Sequence, residues 1–345
     1  MRLFSFDALK LLAIFLVLWG HAEQHFLSTE PCQSPVYRVI YAFHMPLFMM
    51  LSGYFAVSSL RLNMKMFFIK KFRQLIYPIL VWGAVLGLFL EATHDFHFGH
   101  PSFSVSGLLA DYLLFTDFWF LKSLFVCYTI AFLGCKTGLR MRYWMPLTFL
   151  LSQAIAPLQV SFMYPAFLLG IILRSNPSLL SRLVVWRWVL AVLFVLMLCG
   201  WSEEAWRQSH GLPAGLLHAG PLLCAKVAAA RCFRLLIGLV GSVTMIAVFQ
   251  RLLGSDRQSE RLQASYPVLG KVLQEWGRYT MEIYILQVLV LEGALACILS
   301  FDEVCPFIFH FLLAPGIALL VLAFIVGFVR WVYRYRRLGL LLFGK

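Results

Sequence analysis

The chain has 345 residues, 61% of them hydrophobic and only 13% charged, with a formal net charge of +13. A water-soluble protein of this length has no use for so much apolar surface, so an ordinary soluble domain is excluded. The positive residues are scattered over short links between apolar runs, which argues against nucleic acid as a partner.

In chain order, apolar runs able to cross a bilayer fall at about 6–24, 36–58, 74–92, 117–134, 143–158, 160–173, 183–201, 235–250, 279–300 and 307–329. Ten such runs predict an all-α polytopic membrane protein, a single membrane-embedded domain over residues 1–345 with lipid as its solvent. No soluble domain, internal repeat or low-complexity linker interrupts them. The first run lacks a small-residue cleavage site after its apolar core, so it reads as a retained span and not a signal peptide.

Basic residues alternate from link to link. The link after the second run holds Arg61, Lys65, Lys70, Lys71 and Arg73. Later links on that side hold Lys136, Arg140 and Arg142, then Arg174 and Arg182, then Arg251, Arg257, Arg261 and Lys271, and the tail holds Arg334, Arg336, Arg337 and Lys345. Residues 25–35, 93–116 and 301–306 contain no Lys or Arg. The positive-inside rule then places both termini in the cytoplasm. Residues 221–234 form a basic helical stretch suited to the interface before the eighth run. The eight cysteines show no CxxC or zinc spacing. Cys32 and Cys305 fall in outer links and are a candidate pair, which spacing does not establish.

The first run contains "KLLAIFLVLWGH", Lys10 to His21. Eleven residues at about 100° each bring the two side chains to one helix face, about 16 Å apart along the axis. Asp7, one turn before Lys10, is placed to pair with it and lower the cost of both charges. An interfacial lysine and a packing histidine are the plain alternatives. The second run contains "FHMPLFMMLSGYF", residues 43–55, with His44 embedded beside Pro46, and Ser52 and Gly53 allowing close helix approach. Lys122 and Trp119 stand near the outer end of the fourth run. Glu282 stands in the ninth at the depth of Lys10 and is suited to pair with it. The outer histidines of "HDFHFGH" (His94, His97 and His100, with Asp95) read as a solvated loop, because no ligand spacing on a fixed element supports a metal.

Together these stretches resemble the integral-membrane acyltransferase-3 family. The resemblance rests on Asp7, Leu9, Lys10 and His21 in the first run, residues 43–55 in the second, "FWFLKSLF" at 118–125, and "GRYTMEIYILQ" at 277–287. Two departures stand out. Members often carry Arg-x-x-Arg before a proline, whereas "KKFRQLIYP" offers Lys70-x-x-Arg73 by spacing or Lys71-x-x-Gln74 by its proline. Gln287 stands where many members have histidine, and glutamine does not titrate.

The resemblance implies an O-acyltransferase of the bacterial inner membrane. It would move an acetyl or similar short acyl group from cytoplasmic acyl-coenzyme A to a hydroxyl of an envelope or exported glycan, with other polysaccharide assembly proteins as candidate partners. His21 would serve as general base or as transient nucleophile, with Lys10 and Asp7 behind it. Lys70, Lys71 and Arg73 would hold the acetyl-CoA phosphates. His44, Trp119 and Lys122 would position the substrates, Lys122 also being placed to steady an oxyanion. A thioester is already activated, so no metal is expected. The rival reading is a transporter or flippase for a glycan or lipid-linked sugar, which would predict inverted repeats around a midplane site.

Overall fold

The apolar runs fold as helices in the computed structural model, which describes residues 4–27, 31–92, 118–155, 157–203, 221–296 and 298–345. No strand occurs among the described residues. The helices are α1 (Phe4–His25), α2 (Pro35–Leu60), α3 (Met64–Phe89), α4 (Trp119–Lys136), α5 (Met141–Gln153), α6 (Val160–Ser175) and α7 (Pro177–Val185). They continue with α8 (Arg187–Cys199), α9 (Pro221–Leu253), α10 (Asp256–Ser265), α11 (Pro267–Trp276), α12 (Thr280–Gln287), α13 (Pro306–Arg334) and α14 (Arg336–Phe343). The outer-loop residues His94, Asp95, His97 and His100 lie outside the described residues.

Ten spans were expected. Among the described residues six helices are long and apolar enough to cross a membrane, namely α1, α2, α3, α4, α9 and α13. A seventh follows if α6 and α7, bent by 103° at their junction, count as one span. The remaining expected runs are helical but short. Helices α5 and α8 have 13 residues each, about 20 Å against a hydrocarbon core of about 30 Å. The ninth run divides into the eight residues of α12 and an eight-residue π-helix, Val288–Leu295. The basic stretch at 221–234 is not a separate interfacial helix. It is continuous with the eighth run in the 33 residues of α9.

The chain forms two compact units. The first comprises Met1–Ala13, Cys32–Arg61 and Val126–Gly277, and the second Ile14–Pro31, Leu62–Phe125 and Arg278–Lys345. Helices α1 and α4 each contribute to both.

In the first unit α2 is the central element. Ser34 caps it by accepting from the Tyr37 amide at 3.2 Å, with Pro35 at its first position. Pro46 removes the amide that would bond the Ala42 carbonyl. Helix α9 fills the resulting notch. A Cβ on Gly238 would lie 2.9 Å from Pro46 Cγ and 3.2 Å from the Ala42 carbonyl oxygen, and Ser242 Oγ donates to the Phe43 carbonyl at 3.2 Å. That hydroxyl has a single proton, and its closer acceptor is the Gly238 carbonyl of its own helix at 2.6 Å. Helix α6 lies closer still. A Cβ on Gly53 would overlap the Phe167 carbonyl oxygen, and one on Gly170 would overlap that of Met50. The expectation that Ser52 and Gly53 admit a helix is met at this contact.

In the second unit the tail is built into the structure. Helix α14 lies along α3, where Tyr77 Oη donates to the Leu341 carbonyl and Trp82 Nε1 to the Leu342 carbonyl, both at 2.9 Å. Gly344 ends α14 at φ +69°, where a side chain would be strained and its Cβ would lie 2.6 Å from the Arg73 carbonyl oxygen. Cys32 is buried and Cys305 exposed, both as thiols.

Because backbone opposes backbone at Gly53, the site has little room to relax. Gly53→Val should destabilise the protein by about 3 kcal/mol, read as a lowered melting temperature in detergent. Gly327→Ala, with nothing within 4 Å of its added carbon, should be neutral or slightly stabilising.

Candidate active site

Helix α1 carries a basic-acidic alternation near its C-terminal end, His21-Ala-Glu23-Gln-His25. His21 and His25 are one turn apart, so their rings stack at 5.8 Å with planes 7° apart. Both face Glu292. His21 Nδ1 lies 3.2 Å from Glu292 Oε1, within ion-pair reach though off the line of a hydrogen bond. His25 Nε2 lies 3.8 Å from Glu292 Oε2.

Glu292 is aimed by the π-helix Val288–Leu295. Five residues along an α-helix turn about 500°, leaving side chains on different faces, whereas a π turn is wider and brings i and i+5 together. Gln287 Nε2 accordingly donates to Glu292 Oε1 at 2.9 Å. Gln287 itself is 1% exposed. It does not titrate, yet it holds the carboxylate that faces the histidine pair. The side chains of His21, His25 and Glu292 remain 21–29% exposed, so the cluster is partly open.

Two residues beyond His21 is about 200° around the helix, and Glu23 faces the other way. It is fully buried and lies 2.6 Å from His310 Nδ1. Trp19 Nε1 points at both partners, 3.3 Å from Glu23 Oε1 and 3.2 Å from the His310 carbonyl. His310 sits in a second π segment, Phe309–Leu313.

The other expected site residues are placed as follows. Lys10 Nζ is 3.4 Å from Asp7 Oδ1, as the spacing predicts, and 4.4 Å from the centroid of the Phe55 ring. Glu282, expected beside Lys10, instead accepts from Tyr333 at 2.5 Å and from Lys345 Nζ at 2.6 Å. Those partners come from the end of α13 and the chain terminus, which spacing along the ninth run does not reveal. His44 is buried and its Nδ1 bonds the Ile40 carbonyl at 2.8 Å. A carbonyl only accepts, so Nδ1 carries the proton and the ring is anchored to its own helix. Lys122 is buried in the first turn of α4, nearer the helix start than the expected span boundary placed it, and Trp119 packs edge-on against Phe120.

Lys70 and Arg73 are exposed. Lys71 is buried, with Nζ 3.4 Å from Gln74 Oε1. Of the two registers the sequence left open, the proline-anchored pair Lys71 and Gln74 is thus in contact. Four members of the two carboxylate clusters went unmarked in the sequence: His25, Glu292, Glu23 and His310. His25 had a local signal, the i, i+4 spacing from His21. The acid–histidine pairings themselves span sequence separations of more than 260 residues.

Residues 3–334 match the family model described as "Acyltransferase domain", and the chain belongs to that family, acyltransferase-3. It is similar to Nodulation protein NolL of Mesorhizobium japonicum, 29% identical over 226 residues covering 60% of this chain and 58% of that protein. It is also similar to Nodulation protein NolL of Sinorhizobium fredii, 30% identical over 184 residues covering 50% of this chain and 49% of that protein. The chain thus spans about half the length of the curated relatives it matches. No solved structure matches it.

Removing one partner of a buried acid–imidazole pair is expensive, because the remaining polar group has lost its compensation. His310→Ala should therefore lower stability by about 3 kcal/mol. Thermal unfolding in detergent measures it, and Glu23→Gln with His310→Ala together should recover part of the loss.

Proposed function

We propose that this protein is a membrane O-acyltransferase that moves an acetyl or similar short acyl group from cytoplasmic acyl-coenzyme A to a hydroxyl of an envelope or exported glycan. The supporting observation is the His21 imidazole set against a carboxylate that Gln287 holds in place, in a chain of an acyltransferase family.

With Nδ1 toward Glu292, His21 is suited to keep its proton on Nδ1 and its lone pair on Nε2. Nε2 takes the proton of the attacking glycan hydroxyl as the new C–O bond forms at the thioester carbon. Glu292 stabilises the resulting imidazolium, the role a carboxylate plays behind a catalytic histidine. The tetrahedral intermediate collapses, the C–S bond breaks, and the departing thiolate of coenzyme A takes the proton back from Nε2. The carboxylate would stabilise positive charge on the ring in either route, as imidazolium or as acyl-imidazolium. Lys70, Lys71 and Arg73 are the donor-side cations, matched to the phosphates of coenzyme A. Asp7 and Lys10 brace the opposite end of α1, and His44, Trp119 and Lys122 are assigned to substrate positioning. The basic links support a location in the inner membrane of a bacterium with both termini in the cytoplasm, which would bring Lys70, Lys71 and Arg73 to the side of a cytoplasmic donor.

His21→Ala should lower acyl transfer by about 10² to 10⁴-fold while the protein still inserts and accumulates. Glu292→Gln keeps the shape and loses the charge, and should cost about tenfold or more, short of the His21 effect. The measurement is release of coenzyme A thiol by purified protein with glycan acceptor, together with the acyl content of glycan from cells. Near-normal transfer by His21→Ala would refute the assignment.

Neutralising Lys70, Lys71 and Arg73 together should raise the apparent KM for acetyl-CoA well above any change in KM for the acceptor. Each lost charge-assisted phosphate contact is worth about 1.5–3 kcal/mol at most. Unchanged donor kinetics in well-inserted protein would leave these residues with topology alone.

A further inference from the structure

The acyl-transfer reading uses His21 and Glu292 and leaves His25 without a task. We propose that His21, His25 and Glu292 form a binding site for a divalent transition ion, zinc being the best match, and that the bound ion inhibits the enzyme. The inhibitory part rests on the base role given to His21 above; the binding part does not.

The geometry carries the first part. The three residues offer one ligand atom each, and these atoms all lie within 4.8 Å of one another. Two histidines at i and i+4 on one helix face, with a carboxylate from elsewhere, is a recurring zinc donor set. A tetrahedral ion at about 2.0–2.1 Å from its ligands draws them to about 3.3 Å apart. His21 Nδ1 and Glu292 Oε1 already stand at 3.2 Å. His25 Nε2 lies 3.8 Å from the other carboxylate oxygen, Oε2, so it has further to come to share an ion, and it is the last residue of α1, where a helix end yields most easily. Two imidazoles select zinc, copper or nickel over magnesium or calcium. Gln287 supplies the outer support that metal-ligating carboxylates commonly have. The partial exposure of all three side chains gives an ion a way in, and an open fourth position for water.

The second part follows from the tautomer. An ion on Nδ1 of His21 leaves the neutral ring's proton on Nε2. Nε2 is the atom that must accept the hydroxyl proton, so the base is occupied before substrate arrives. The ion also takes the Glu292 charge that would stabilise the imidazolium.

The test uses full-length, chelator-treated protein in detergent. Zinc binding is followed by equilibrium dialysis with metal analysis. Cobalt(II) is added separately, and its visible absorption reports coordination. Wild type should bind one zinc per chain at this site and show the intense absorption of four-coordinate cobalt. His25→Ala and His25→Gln should each weaken zinc binding by about tenfold or more and lose that absorption. Coenzyme A release, referred to each protein's own metal-free rate, should fall with zinc in wild type, recover with chelator, and resist zinc in both variants. Failure of wild type to bind zinc at micromolar concentration, or unchanged affinity in both His25 variants, would overturn the site. Binding that the variants weaken, with wild-type turnover undiminished by zinc, would overturn the inhibition and the base role of His21 while the ion site stands.

Discussion

A carboxylate in an apolar helix needs compensation, since an isolated charge out of water costs several kcal/mol. Four acids within the apolar helices here have found partners. Asp7 meets Lys10, Glu23 meets His310, Glu282 meets Tyr333 and Lys345, and Glu292 meets Gln287 and two histidines. Three of these pairings fasten elements that are distant in sequence: α1 to α13, α12 to the chain terminus, and α1 to the π-helix. Glu23, Glu282 and Glu292 therefore hold the second unit together. They do so differently. Glu23 and Glu282 are fully buried and closely bonded, as structural groups should be. Glu292 is partly open and its contacts to the histidines are longer and imperfectly aligned. That looseness suits the proposed chemistry, in which its partner His21 gains and loses a proton.

The π segments have a common logic. Each costs hydrogen-bond quality relative to an α-helix, and each occurs where a side chain must be re-aimed. Val288–Leu295 brings Gln287 and Glu292 together across five residues, and Phe309–Leu313 contains His310. Phe72–Ile76 falls directly after Lys71, in the basic stretch assigned to the donor, and Arg73 and Gln74 lie inside it. Of these three segments, Val288–Leu295 carries Glu292, the carboxylate of the proposed chemistry, and Phe72–Ile76 stands beside the proposed donor cations.

Much of the architecture could be read from apolar run length, because crossing hydrocarbon imposes a minimum helix. Run length does not show where a helix stops or bends, and the short α5 and α8 and the bent α6–α7 pair depart from the expected spans. Within the site, legibility followed sequence distance. Asp7 with Lys10 was visible, being one turn apart. His21 was visible because an imidazole deep in an apolar run is costly, and because its distance from Lys10 matches the family pattern. His25 offers the same helical spacing but stands just past the expected end of the first run, where an imidazole costs little. Glu292 was illegible, since its meaning depends on a π turn and on histidines some 270 residues away. Gln287 does not titrate, as its side chain dictates, and its amide instead holds the acid that faces His21.

The two faces of α1 carry opposite assignments, and this bears on how His21 is kept in place. Toward Glu292 the helix presents imidazoles, and toward His310 it presents a carboxylate. A smooth apolar helix could turn about its axis at little cost, because one greasy face packs much like another. This one cannot. A half-turn would bring Glu23 round to Glu292 and His21 toward His310, setting acid against acid and base against base, and like charges in a low-dielectric setting repel strongly. Trp19 adds a second lock by reaching the carbonyl of the residue that Glu23 faces. The crossed polarity thus fixes the rotation of α1 by penalising the alternative as well as by favouring the native state. Glu23 never touches the reacting atoms in the proposed chemistry, but it decides which way His21 points.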